Sequence, residues 1–590
     1  MRNGIFIGHH LLMCENVLTF ADVMMEKKKS KHAAGLLTMV CSLVLSLAVF
    51  LFWWKAFPQA LSFQEQYQLF LWTGDYLIQR LAVPGGLADW MGEFVVQFYF
   101  VEWLGAVLLA MLYAAMALLL WRVLCRMAPD GGGACLMPWG WVAPLMTLWM
   151  MGDENVLLSH PMAMLVAMAA FLLLVPRRNV SWKRTLLLCI PALPVLYWLI
   201  GPLAWLTVLL VLVRCGWKVR QVALWMLAVQ LFAYHVHLPQ WPQHDVFLGH
   251  NYYRLPMQTP ALLWGIPLAV VAMALVVRRL FRFPGRKVRM SVGAIGLIAI
   301  VLLALTAVTT GYDSDKYELL AQDRLIRYER WDDIVDRAMD KQVHTPFWCN
   351  SVNLALAQKR WLADRMFDFW QSGPDALFTP MRRDMVSDLP TAEAFWRLGL
   401  VNSAQRYMAD MQESILNARK SGRMTKRIAE CYLVNGKYDL ARKHLRLLEK
   451  SLFYKQWAKE AMRYGDKQVE AHPVYGKLRR MRLKQDFLFS PAEMDKILGI
   501  LFMGCKDNKM ALDYCLAQLL LNGDVMAFHQ MLPMAQQHGG YAAMPLGYQD
   551  AVRCIASRGD TQGSPYAEYV RRMTTNKQPA NNTTTYETAH

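Results

Sequence analysis

Residues 290–325 read MSVGAIGLIAIVLLALTAVTTGYDSDKYELLAQDRL. Up to Thr310 the stretch is apolar, and about 20 such residues suffice for a helix to cross the hydrocarbon of a bilayer. From Tyr312 onward the apolar runs end and charged residues become regular. This junction divides the chain into a polytopic membrane half and a soluble half. The predicted fold class is all-α: a transmembrane helical bundle of about nine spans, then an extracytoplasmic α-solenoid of tetratricopeptide (TPR)-like repeats. The expected domains are a cytoplasmic N-terminal segment (1–32), a transmembrane domain (33–311) with a long first outer loop (58–102), a repeat domain (312–573) and a disordered tail (574–590), rich in Thr and Asn.

Working back from the junction, the apolar runs lie near 34–57, 103–123, 138–151, 156–176, 185–200, 203–213, 219–235, 261–277 and 290–310. The fifth and sixth are separated only by Gly201-Pro202 and read either as two short spans or as one re-entrant hairpin. Basic residues alternate with acidic or histidine-rich loops. Lys27–Lys31, Arg122 with Arg126, Arg177–Arg184, Arg214–Arg220 and Arg278–Arg289 mark the cytoplasmic side. The N-terminus is therefore expected inside, and after nine crossings the C-terminal half lies outside, in an integral protein of the inner (cytoplasmic) membrane. In residues 1–32, GIFIGHHLLM (4–13) is too short for a span and lacks a following small-residue cleavage site. It reads as an interfacial helix, or as lying upstream of a translation start at Met24 or Met25. The net charge of +18 sits partly in topology-setting loops, and no recognition motif accompanies it, so nucleic acid is not an expected partner. The eleven cysteines show no zinc spacing and read mostly as buried thiols, with at most one disulfide.

The soluble half lacks alternating strand runs. In IAECYLVNGKYDLARKHL (428–445), Ala429, Tyr432, Gly436, Ala441 and Leu445 have the spacing of a TPR helix–turn–helix. One unit upstream, Ala392, Phe395, Gly399, Ala404 and Met408 stand in similar register, and a further unit back Ser351, Leu354, Gln358, Ala363 and Phe367. Stacked helix pairs of this kind bury one continuous core and leave a concave face. A protein or peptide partner on that face is expected.

Three constellations carry candidate chemistry. In the first outer loop, residues 63–81 read as an amphipathic surface helix ended by Pro84-Gly85-Gly86. Asp89, Glu93 and Gln97 then form a stripe at i, i+4, i+8. The stripe is read first as the wet face of an interfacial helix. The alternative makes Asp89 and Glu93 catalytic, as a general base or cation site beside a lipid-linked substrate. In the next outer loop, Asp153 and Glu154 read as a charged turn or as a metal-binding pair. In HVHLPQWPQHDVFLGHNYYR (235–254), the imidazoles of His235, His237, His244 and His250 match no metal motif. Tyr252, Tyr253 and Arg254 suit a lipid phosphate, since Arg offers a planar fork and Tyr hydroxyl donors. An aromatic belt with one snorkelling Arg is the plainer alternative.

The stretches QEQYQLFLWT (64–73), PGGLADWMGEFVVQF (84–98) and ECYLVNGKYDLARKHLRLLEKSLFYKQWA (430–458) resemble a family of uncharacterised bacterial polytopic membrane proteins with a repeat-like helical half. The resemblance runs from about residue 33 to about 572 and implies no activity. The layout is also similar to that of the GT-C glycosyltransferases, which carry acids in their first two outer loops. That likeness implies Asp89, Glu93, Asp153 and Glu154 as the corresponding acids, a polyprenyl-phosphate-linked sugar as substrate and a divalent cation as the only cofactor, none being certain otherwise. The acid pair usual directly after the first span is missing, the first acid after Trp54 being Glu65. The leading expectation is an anchor or scaffold in contact with membrane lipids, with its repeat domain on a protein partner.

Overall fold

The computed structural model describes residues 31–577, except 129–132, 178–180, 238–242, 250–251, 256–258, 283–284, 383–384, 417–418, 484–492 and 558–562. The tail 574–590, expected to be disordered, lies largely outside them, as do residues 1–30. The described residues are helical and contain no strand, only one isolated antiparallel bridge between Val156 and Tyr253. The chain forms two compact units. One comprises Met1–Gln64 with Thr73–Asp313, the other Glu65–Trp72 with Ser314–His590.

In the first unit each predicted apolar run is a helix: Lys31–Leu51, Glu102–Met127, Val142–Met150, Ser159–Leu174, Trp182–Ile200, Ala204–Cys215, Gln221–His237, Leu262–Leu280 and Arg286–Thr310. Five stretches are long and apolar enough to cross a membrane: Met39–Ala56, Glu102–Met127, Trp182–Cys215, Leu262–Leu280 and Lys287–Thr310. The last of these leaves Ile295, Ile298 and Leu302 exposed on one face, as a helix solvated by lipid would. Val142–Met150 spans only nine residues and is short for a bilayer.

The second unit is a series of antiparallel helix pairs. Leu389–Leu398 pairs with Val401–Glu413, and Gly422–Val434 with Tyr438–Glu449. Gly399 (φ 88°) and Gly436 (φ 73°) make the turns in the left-handed region, where a side chain would be strained. Ala392, Phe395, Ala404, Ala429, Ala441 and Leu445 are buried between the paired helices, while Tyr432 is half-buried and stacks on His444. Each described cysteine is a free thiol, which corrects the allowance for a disulfide.

The surface helix expected over 63–81 is not formed. Two short helices, Pro58–Gln66 and Gly74–Leu81, take its ends, and the chain between them leaves the helical path. Glu65–Trp72 is packed inside the second unit. Glu65 pairs with Arg327 at 2.7 Å and accepts from the Tyr454 hydroxyl at 3.2 Å. The Gln66 amide donates to Asp323 (3.1 Å) and accepts from Arg423 (3.0 Å), which also holds Asp323 at 2.8 Å. The Tyr67 hydroxyl donates to the Met385 carbonyl, and the Leu69 and Trp72 amides donate to the Lys420 and Lys450 carbonyls, each at 2.8 Å. The polar residues Gln64, Gln66 and Gln68 are as buried as Tyr67 and Phe70, so the amphipathic pattern had two inner faces, not one. Helical periodicity lost because the buried Gln64, Glu65 and Gln66 find specific partners that a surface helix would not supply.

Arg423 continues the charge network to Glu393 (3.4 Å), Glu393 to Arg427 (2.8 Å) and Arg427 to Glu430 (2.7 Å). Burial pushes the Glu393 carboxyl up, but Arg427, Arg423 and Arg397 together hold it below the ordinary glutamate range. A carboxylate with a depressed value stabilises the fold above its unfolded value and loses that contribution as pH falls through the folded one. Acid titration of the full-length protein in detergent should therefore unfold the second unit more steeply than it does in Glu393→Gln. Arg327→Met, which removes the guanidinium from buried Glu65, should cost about 3–5 kcal/mol of stability by denaturant melting, and adding Glu65→Gln should recover most of it.

Candidate functional site

The Pro84-Gly85-Gly86 turn folds the helix Gly86–Val96 back onto Gly74–Leu81. Gly85 sits at φ 89°, and a Cβ on Gly86 would lie 1.8 Å from the Arg80 carbonyl oxygen, so the turn closes only on glycine. Closure brings Arg80 against the two acids. Its guanidinium reaches Glu93 through Nη2 (2.9 Å) and Nε (3.0 Å), and Asp89 at 3.8 Å. The Tyr76 hydroxyl donates to Glu93 and accepts from Arg80 Nη2. Glu93 is 0% exposed and Asp89 4%.

The wet-stripe reading is thus corrected. Asp89, Glu93 and Gln97 are all buried: Arg80 and Tyr76 replace water at the two acids, and the Gln97 amide donates to the Phe94 carbonyl at 2.8 Å. Burial raises the Tyr76 hydroxyl well above its ordinary value, reinforced by the Glu93 charge, so it stays a donor. Burial alone would lower Arg80, but Glu93 and Asp89 more than reverse this and keep it cationic.

The second acid pair meets the third constellation. The Val156–Tyr253 bridge is extended by hydrogen bonds from Leu157 N to Tyr252 O (3.0 Å) and from Arg254 N to Asn155 O (2.9 Å). Asp153 accepts from the Tyr253 hydroxyl at 2.6 Å and from the Asn155 amide nitrogens, and Glu154 accepts from Asn155 Nδ2 at 2.9 Å. The Tyr252 hydroxyl serves the Gly201 turn, donating to Ile200 O and accepting from Leu203 N. Burial and then Asp153 raise the Tyr253 hydroxyl, which remains protonated. Arg254 is buried with its guanidinium 5.0 Å from the Phe63 ring, and Gln64 ties the 154–156 backbone with two amide donations at 2.7 and 2.8 Å.

Among the described residues no group of three or more His, Cys, Asp or Glu is arranged to hold a metal ion. The side chains of His237, His244, Asp245 and His250 lie outside the described residues. Arg80 and Tyr76 were the residues that sequence reasoning passed over. A signal existed: they are four apart on one helical face, and Arg80 is the single base of an otherwise acidic loop.

Arg80→Ala should destabilise the first unit by about 3–5 kcal/mol, because two buried carboxylates lose their cation. Arg80→Lys should recover only part of this, since an ammonium lacks the two-pronged geometry. Melting curves of the purified full-length protein would show both effects.

No curated protein and no solved structure matches the chain. Comparison with protein families matches residues 32–590 to DUF6057, described as a family of unknown function. The chain accordingly belongs to the DUF6057 family, whose function is unknown.

Proposed function

We propose that this chain is an anchor or scaffold of the cell envelope, held in the cytoplasmic membrane by its N-terminal helices and offering its C-terminal TPR-like unit to a protein partner outside the cytoplasm. The observation that carries the topology is the packing of Glu65–Trp72 within the C-terminal unit. A segment buried in a folded domain must share its side of the membrane. The chain between residues 73 and 313 must therefore cross an even number of times. The helices from Glu102–Met127 to Arg286–Thr310 satisfy this if the short Val142–Met150 completes a crossing and if Trp182–Ile200 and Ala204–Cys215 turn back at Gly201. The basic residues Lys183 and Arg184 in the first turn of that pair, Arg214 in its last turn and Lys218 and Arg220 beyond it favour the same arrangement with these ends in the cytoplasm.

An anchoring role accords with the first acid pair, whose carboxylates are engaged by Arg80 and closed to water. Arg327, Asp323 and Arg423 are engaged by the chain's own Glu65 and Gln66, so a partner takes another face of the unit. A GT-C-like transferase, using a polyprenyl-phosphate-linked sugar, is the second reading. It is favoured by one observation, the meeting of Asp153 with Tyr253 beside Arg254.

Alkaline phosphatase fused after Phe100 and after Tyr312 should be active on the same, outer side; activity on opposite sides would sink the topology. Asp153→Ala and Glu154→Ala should leave a scaffold working at normal abundance. Loss of the cellular phenotype in a stably folded variant would instead favour the transferase.

A further inference from the structure

The C-terminal unit carries a charged edge that the ion network does not use. Lys420 precedes the helix Gly422–Val434, and Lys443, Arg446 and Lys450 line the last turns and end of Tyr438–Glu449. All four are exposed, and none has an ion pair among the described residues. They belong to one edge because the self-bound segment joins them: the Leu69 amide binds the Lys420 carbonyl and the Trp72 amide the Lys450 carbonyl. His444, stacked on Tyr432, feels burial and then the charges of Lys420 and Lys443, which hold it below its ordinary value. Two large apolar side chains accompany the bases. Trp72 is 54% exposed and Leu452 45%.

Bases with an exposed Trp and Leu are the combination that binds an anionic bilayer surface: the cations meet lipid phosphates, and the indole sits at the headgroup level. Chain continuity points the same way. Trp72 is the last residue of the segment, and at Thr73 the chain enters the unit that holds the membrane-length helices. Bases at a helix C-terminus also complement its dipole, which accounts for Arg446 and Lys450 but not for Lys420 or for the exposed indole.

We infer that the edge formed by Lys420, Lys443, Arg446 and Lys450 with Trp72 and Leu452 is a docking surface for anionic phospholipid headgroups. It steadies the C-terminal unit against the bilayer from which the chain emerges. The inference holds for either leaflet, so it stands or falls separately from the topology that the phosphatase fusions test.

The test is hydrogen–deuterium exchange of the full-length protein in nanodiscs of phosphatidylcholine alone or mixed with phosphatidylglycerol. Amides in residues 442–452 should exchange about tenfold more slowly in the anionic discs, since each base near the surface contributes measurably to binding. The difference should vanish in Lys443→Glu/Arg446→Glu/Lys450→Glu and shrink in Trp72→Ala. If the triple reversal fails to fold, Lys443→Gln/Lys450→Gln should still reduce the difference. Equal exchange in both discs would overturn the inference. So would protection by soluble polyphosphate in detergent without any headgroup effect, which would assign the edge to a soluble polyanion instead.

Discussion

The pairing of Glu65 with Arg327 sets the terms for the rest of the molecule. A carboxylate next to a run of aromatics is costly to bury without a cation, and the one that meets it lies 262 residues further along the chain. Satisfying it pulls residues 65–72 out of helical geometry and into the C-terminal unit. Gln66 and Arg423 then fix the register, because the Gln66 amide sits between Asp323 and Arg423, and Arg423 also holds Asp323. Buried charge networks of this kind contribute little net stability compared with apolar packing, but breaking them is costly, so they specify one arrangement over its near neighbours.

That arrangement has consequences for how the protein works. The helices of the C-terminal unit bind an extended segment, and that segment is supplied by the same chain. The contacts follow the logic of extended-segment recognition, with main-chain donations from Leu69 and Trp72 and side-chain selection at Glu65, Gln66 and Tyr67. Because the ligand is covalently tethered, its effective concentration is high and an outside peptide competes poorly. The acid pair Asp89 and Glu93 is governed by the same rule as Glu65: one arginine, placed by a glycine turn, neutralises what the apolar surroundings would not tolerate.

Much of the architecture is legible in the residues themselves. Apolar runs of near-membrane length, separated by loops of alternating charge, predict the helices of the first unit run by run. Small residues at Ala392, Ala404, Ala429 and Ala441, with Gly399 and Gly436 between them, predict the helix pairs of the second. These features depend on local composition and spacing, and hydrophobic burial enforces them wherever the chain lies. The acids were harder to place. Asp89 and Glu93 have the spacing of a solvated stripe, and nothing local distinguishes a carboxylate facing water from one facing an arginine on the preceding helix. Asp153 and Tyr253 are a hundred residues apart, and only the antiparallel bridge at Val156 makes them neighbours.

The sequence by itself determined an all-helical chain with membrane-length apolar helices followed by paired, charged ones, because periodicity and hydrophobic content act over a single turn or span. Only the tertiary structure decided that residues 65–72 belong to the C-terminal unit and that Asp89 and Glu93 are buried and paired. The physical reason is that an ion pair carries no sequence spacing: a buried carboxylate requires a cation within a few ångströms, and folding alone chooses which one.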